Sequence, residues 1–513
     1  MTRRGPLTVA ALICAITLGC ASDTPPTHDH TSGMDMGGMD MGGSSDGGST
    51  DETSGDELTR RLADAEPGET IVVEPGTYQG SFVVRRPVHL VGEGLPVLDG
   101  GGEGTVLRVA PGARGSTVRG LHVMGTGPGP VGTPTAIRVE ADDVIVEDNL
   151  IMDSYMGIQV IEADDATVAD NTIVGFEEGA VTGELHATGG DADMTGMDHG
   201  GTVSNQSARR GDAITLNNAA GAVVEGNDID SARDGVFLTF ARDATVRDNE
   251  VRNGRYAVHA MYASALDAED NFFDGNLAGA ILMYGGPFEL TGNTVMHSRS
   301  PATGFGFVVK DGAGVVFDRN VIAANRVGIK LDNGGATSSD AEPALIRDNT
   351  IGLNQIGVEV MVASHGAFSG NSFVENTVHV VAEDEVPEIE WTVAERGNYW
   401  SSYKGYDNGG DGVGDLPYVQ GGSIEHTLTR SPSLIALMSG PAFRLLQAVE
   451  DRWAPEDPVA LDTHPMMEIA SPTLAHERRS ETTGARQGIV GVVLITACAL
   501  LLLRARIPRH RSG

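Results

Sequence analysis

Soft metal-binding side chains gather in two stretches whose composition gives them nothing to pack against. The first is His28-Asp29-His30-Thr31-Ser32-Gly33-Met34-Asp35-Met36-Gly37-Gly38-Met39-Asp40-Met41, with two imidazoles and four thioethers in fourteen residues. Imidazole suits copper, and thioether selects Cu(I) in particular. Gly, Asp, Ser and Thr build no core, so burial does not account for these methionines. The second stretch, Asp193-Met194-Thr195-Gly196-Met197-Asp198-His199 with His186 upstream, repeats the flavour. Both would be weak, exchangeable sites. The plain alternative for the first is a solvated tether.

A repeat must position everything else. Asn recurs at Asn149, Asn171, Asn227, Asn249, Asn271, Asn293, Asn320, Asn349 and Asn371, with gaps of 22, 56, 22, 22, 22, 27, 29 and 22. Each unit carries short alternating apolar runs separated by Gly and Asn, which are strand and turn signals. A period of 22 with three short strands fits one coil of a right-handed parallel β-helix, whose core exists only when coils stack. The asparagines read as structural, a hydrogen-bonded ladder at a turn. Glu57 to Ala65 reads as an amphipathic capping helix before a first strand at Thr70-Ile71-Val72-Val73. The 56-residue gap predicts an inserted loop over 184–210.

The register yields a third candidate. Ile158 and Val160, Val236 and Leu238, Val258 and Ala260, Ala280 and Leu282 should face the core, so alternate positions point outward. Phe237, His259, Met261, Ile281 and Met283 would then share one exposed face. Such a patch fits a partner surface, two thioethers and an imidazole could hold Cu(I), and packing beneath a loop or the C-terminal segment is the third option.

Further along, Asp407-Asn408-Gly409-Gly410-Asp411-Gly412-Val413-Gly414-Asp415 has calcium-loop features, but Tyr418 stands where an EF-hand needs Glu, which favours a tight acidic turn. Residues 433–451 pattern as an amphipathic helix through Leu434, Leu437, Leu445, Leu446 and Val449.

Both chain ends suggest a membrane. Residues 1–20 read as an export signal, and Gly19-Cys20 resembles a lipoprotein cleavage site with Cys20 lipidated. A Gly- and Asp-rich tether over 21–56 precedes the β-helix at 57–395. A C-terminal motif region at 396–470 and a linker at 471–487 follow. Residues 488–503 would form a transmembrane helix of about 24 Å, and the arginines of 504–513 would keep that tail cytoplasmic.

Composition narrows the function. Lys+Arg number 35 against 71 Asp+Glu, a net charge of −36, which argues against a nucleic-acid partner. The chain has three cysteines, and none lies between Asp23 and Gly488. Disulfides and thiolate metal sites are thereby excluded from the main body.

The opening Ile71-Val72-Val73-Glu74-Pro75-Gly76-Thr77-Tyr78 and Val91-Gly92-Glu93-Gly94 look like the start of CASH-type β-helices. The other end is more specific. Gly397-Asn398-Tyr399-Trp400-Ser401, Asp411-Gly412-Val413-Gly414-Asp415-Leu416-Pro417-Tyr418 and Asp462-Thr463-His464-Pro465-Met466-Met467 resemble the NosD family of nitrous-oxide reductase maturation proteins. Val258-His259-Ala260-Met261-Tyr262 and Leu282-Met283-Tyr284 are similar too. The resemblance spans about residues 57–470. It implies an extracytoplasmic, membrane-associated β-helix working with an ABC-type ATPase and permease, and with the reductase or a copper chaperone, in copper-site assembly. The lipid anchor, the C-terminal span and the two His/Met insertions depart from the family's usual pattern.

A polysaccharide lyase or epimerase is the competing class, since fold alone does not exclude it. Such an enzyme needs an exposed base among clustered carboxylates. The sequence shows no Lys or Arg aligned with Asp pairs at the 22-residue register, and exposed aromatics for sugar stacking look few. The expectation is therefore a non-enzymatic copper scaffold, with a passive copper store as a third reading.

Overall fold

The computed structural model describes residues 52–175, 211–421 and 458–469, apart from 128, 130–131, 301–302, 333–342, 362–363 and 383–387. Among these residues the chain winds into three parallel sheets of 13, 13 and 12 strands, opened by Glu69–Val73, Thr77–Gln79 and Phe82–Val84. Each coil adds one strand to each sheet. In the third sheet Val236, Val258, Ala280, Phe307 and Ile329 stand in one column. All are buried in a single continuous core with Ile158, Val160, Leu238, Ala260 and Leu282, as the alternation requires. This is the parallel β-helix that the repeat implied.

The corners explain why the strands are short. The residue before each ladder asparagine has left-handed backbone, as at Asp148, Asp170, Asp248, Asp270 and Asp348 with φ between 51° and 58°. Asp tolerates this conformation through its own side-chain hydrogen bonds.

Immediately after that corner comes the buried ladder. Asn249 Oδ1 accepts from Asn227 N at 3.0 Å and from Asn227 Nδ2 at 2.9 Å, while Asn249 Nδ2 donates to Val224 O at 2.9 Å and to Asn271 Oδ1 at 3.0 Å. The pattern runs on to Asn371, whose N–H donates to Asn398 Oδ1 at 3.0 Å. A second ladder lies five residues further along the coil, where Asn325 N donates to Asn354 Oδ1 and Asn354 N to Asn376 Oδ1.

The two ends are closed differently. The N-terminal helix runs Glu52–Asp64, starting five residues earlier than the pattern suggested, and buries Leu58 and Leu62. Gly55 allows it close, because a Cβ there would meet Gln79 O at 2.1 Å. At the other end buried Asp462 replaces the next asparagine. Its Oδ2 accepts from Asn398 N at 2.7 Å and Trp400 Nε1 at 2.9 Å, and its Oδ1 from Thr392 Oγ1 at 2.8 Å and His464 N at 3.0 Å. Trp400 stacks between Phe373 and Tyr418, each 4.2 Å away. A Cβ on Gly397 would meet Asp462 Oδ1 at 2.1 Å, so this position requires glycine. The Gly-Asn-Tyr-Trp and Asp-Thr-His motifs are thus the solenoid's end cap. The helix expected over 433–451, the span 488–503 and the tail 504–513 lie outside the described residues. Among the described ones no helix is long and apolar enough to cross a membrane.

Two outcomes follow from this packing. Asn249→Ala takes from Asn227 N–H its acceptor and from Val224 C=O a donor, and should lower stability by about 2–4 kcal/mol in denaturant titration; exposed Glu57→Ala on the N-terminal helix should change it by less than about 0.5 kcal/mol. The second concerns His379, edge-on to Phe373 and Trp400 and pushed down to about 4 by burial. The unfolded chain takes up that proton near 6.5. The stability His379 contributes is therefore present above 6.5 and lost as pH falls toward 4. About 2 kcal/mol should vanish by pH 5, and His379→Gln should flatten that part of the Tm–pH curve.

Candidate functional site

The outer side of the third sheet gathers the described candidate residues. The strands Ile214–Asn217, Asp234–Thr239, Tyr256–Met261 and Ala278–Met283 lie side by side, so Thr215, Phe237, His259 and Ile281 form one outward column and Asn217, Thr239, Met261 and Met283 a second.

His259 sits at the centre. Its Nδ1 is 2.9 Å from Asp234 Oδ2, its ring stacks on Phe237 at 4.7 Å, and it meets Tyr256 edge-on at 5.2 Å. Asp234 is fully buried and also accepts both arms of the Arg255 guanidinium, at 2.7 and 2.6 Å. One coil earlier Arg233 grips Asp212 in the same two-pronged way, at 2.7 and 2.6 Å. Burial by itself would raise the Asp234 carboxyl, but Arg255 and then His259 overcome it and hold the group well below the usual carboxylate range. Burial and the neighbouring Asp234 charge push Asp212 up despite Arg233.

This network decides the chemistry of His259. An ionised carboxylate can only accept, so Nδ1 of the neutral ring carries the proton and Nε2 presents its lone pair. A carboxylate behind the imidazole is the arrangement that orients histidine for a metal and raises its basicity. Met261 is the soft donor on the same strand, two residues along.

The expectation of an open five-residue face needs correction. Phe237, His259 and Met261 are partly exposed, but Ile281 and Met283 are only 2% and 7% exposed. They belong to a second apolar cluster on the outside of this sheet, with Ala278, Phe305, Val308, Val327, Ile356, Val378 and Val381. Apolar side chains from several coils pack against one another over the outer face, so period-two alternation does not by itself mean exposure. A second correction concerns charge. Asp212 and Asp234 stand 22 residues apart, as do Arg233 and Arg255, and each Arg reaches back one coil to an Asp. Arg-Asp pairs therefore do occur at the repeat register, and the two 22-residue spacings were the signal. The two carboxylates are buried, and each is engaged by both arms of an arginine.

The acidic turn spends its carboxylates on its own backbone. Asp407 accepts from Gly410 N and Gly412 N, Asp411 from Val413 N, and Asp415 from Asn408 N. Those N–H groups hold Asp407 below the ordinary carboxylate range. Among the described residues no three His, Cys, Asp or Glu side chains are grouped to hold a metal, so the calcium expectation gains nothing here. Cys20, the His28–Met41 cluster and His186, Met194, Met197 and His199 lie outside the described residues.

Removing the buried charge should be costly. Asp234→Asn leaves Arg255 without its counter-charge and should destabilise the protein by about 3–5 kcal/mol in thermal or denaturant unfolding.

Comparison with known proteins places the chain. A family described as "Periplasmic copper-binding protein (NosD)" matches residues 195–405. The "Probable ABC transporter binding protein NosD" of Pseudomonas aeruginosa is 30% identical over 412 residues, covering 77% of this chain and 87% of that protein. The protein of the same description from Stutzerimonas stutzeri is 31% identical over 140 residues, 27% of this chain and 32% of its own. Among solved structures, the catalytic domain of a GH87 α-1,3-glucanase is similar at a TM-score of 0.49 and 14% identity, over 69% of this chain and 68% of that one. The sequence relationship is the informative one, and by it the chain belongs to the NosD family of periplasmic copper-binding proteins.

Proposed function

We propose that this chain is a non-catalytic scaffold that receives and passes on Cu(I) outside the cytoplasm for copper-site assembly in nitrous-oxide reductase. It would work beside an ABC-type ATPase and permease and exchange copper with the reductase or a chaperone. A lipid on Cys20 and the 488–503 helix would hold it at the outer face of the cytoplasmic membrane. The single observation that carries this reading is His259, fixed through Nδ1 by Asp234 with Nε2 left as a donor on the strand that also carries Met261. One imidazole and one thioether make a low-coordinate soft site, which suits Cu(I) and permits exchange. Met283, adjacent to Met261 in register, would join only by shifting out of its apolar packing. The His28–Met41 and His186–His199 segments would add weak, exchangeable copper sites of their own.

Competition of the full chain against a chromophoric Cu(I) chelator tests the proposal. Deleting 28–41 and 184–200 should lower copper stoichiometry and leave one site with the fold intact. His259→Gln with Met261→Leu should then abolish that remaining site. Equal copper binding by all three forms would sink the assignment.

A further inference from the structure

The corner that follows the third sheet turns through one left-handed residue per coil. Successive coils place Glu162, Asn218, Phe240, Tyr262, Tyr284 and Asp311 there, with φ between 49° and 56°. Gly, Asn and Asp suit such a position, whereas a bulky aromatic is an outlier that persists only where something else favours it. Burial does not account for Phe240 and Tyr262, which are 55% and 47% exposed, whereas Tyr284 is half-buried against the second apolar cluster. The three rings stack in sequence, Phe240 on Tyr262 and Tyr262 on Tyr284, each pair at 5.3 Å with planes 8° and 21° apart. They cover one another's faces and turn their edges outward.

Two neighbours say what the edge would meet. Tyr262 and Tyr284 directly follow Met261 and Met283, so the strip borders the His259 and Met261 donors. Its surroundings are mostly acidic: Asp311 is the next residue of the column, Asp332 adjoins it through Asp311 N–H to Asp332 O at 3.0 Å, and exposed Asp243 lies three residues past Phe240, while Arg242 reaches back to Asn218 Oδ1 at 3.4 Å at the far end of the strip. Sugars stack on ring faces, and these faces are mostly taken. The chain's own His/Met segments carry Asp29, Asp35, Asp40, Asp191, Asp193 and Asp198, so an acidic rim repels them.

We infer that the stacked edge of Phe240, Tyr262 and Tyr284 is the docking rim for a basic, methionine-bearing protein partner that exchanges Cu(I) at the adjoining His259 and Met261. The inference rests on the copper reading above for its cargo, but not for the contact itself. Guanidinium groups of such a partner would donate to the tyrosine hydroxyls and reach the flanking carboxylates. Opposite charge would steer the encounter.

Two synthetic peptides with the same Met-Gly-Gly-Met ligands, one flanked by Arg and one by Asp, serve as probes of the full chain. The copper-free Arg peptide should bind at least about tenfold more tightly than the Asp peptide, and less tightly as salt rises. Phe240→Asn with Tyr262→Asn suits the left-handed backbone at two exposed positions, so Tm should hold or rise. That variant should lose at least about tenfold in Arg-peptide binding and in the rate of Cu(I) transfer from the loaded peptide. Its Cu(I) affinity against a small chelator should stay unchanged. Equal binding of the two peptides, an Asn variant that binds as the native chain does, or displacement by a neutral oligosaccharide would each overturn the rim. Should the native chain bind no Cu(I), the copper reading falls, while peptide binding still decides the rim.

Discussion

A parallel β-helix holds together only if every coil supplies what the coil beside it needs at a spacing of about 4.8 Å. The asparagine ladder shows that constraint most plainly. Each buried amide satisfies a neighbour's backbone N–H and is satisfied in turn by the next coil. A polar side chain deep in an apolar interior is stable only when its hydrogen bonds are made, so no coil can be removed or slipped without stranding groups on both sides. The ladder ends where Asp462 takes over as acceptor. That explains why the end-cap residues are so particular.

The same stacking builds the functional face. Equivalent positions repeat one coil apart, so any side-chain type used twice becomes a pair and any used three times becomes a strip. Asp212 and Asp234 with Arg233 and Arg255 form a buried charge stack; Phe240, Tyr262 and Tyr284 form an aromatic one. His259 gains its fixed orientation from the first. The solenoid thus fixes one oriented imidazole on a strand that also carries a thioether, Met261.

Burial divides the outer face into two regions. From Ile281 onward the outward columns of the third sheet are largely closed off, with Val308 and Val381 completely buried and Lys330 paired with Glu359 between them. Around Phe237, His259 and Met261 they stay partly open. The candidate site is therefore the edge of a covered surface, and its chemistry depends on where the covering stops.

Local and periodic information was legible in the residues themselves. The 22-residue spacing set the coil, the alternation set which of Val258, His259, Ala260 and Met261 point inward, and the Asn positions set the ladder, because each follows from backbone geometry one coil at a time. The second ladder at Asn276, Asn325, Asn354 and Asn376 was equally present, five residues beyond the first, but shared its turn signal with ordinary loops. What only the folded chain decided were the contacts between coils and across the outer face. The grip of Arg255 on Asp234 needs a side chain to reach back one coil, and the burial of Met283 needs apolar neighbours drawn from coils far along the chain. Whether an outward residue is exposed depends on what else packs over it, and that is a property of the assembled surface rather than of any stretch of sequence.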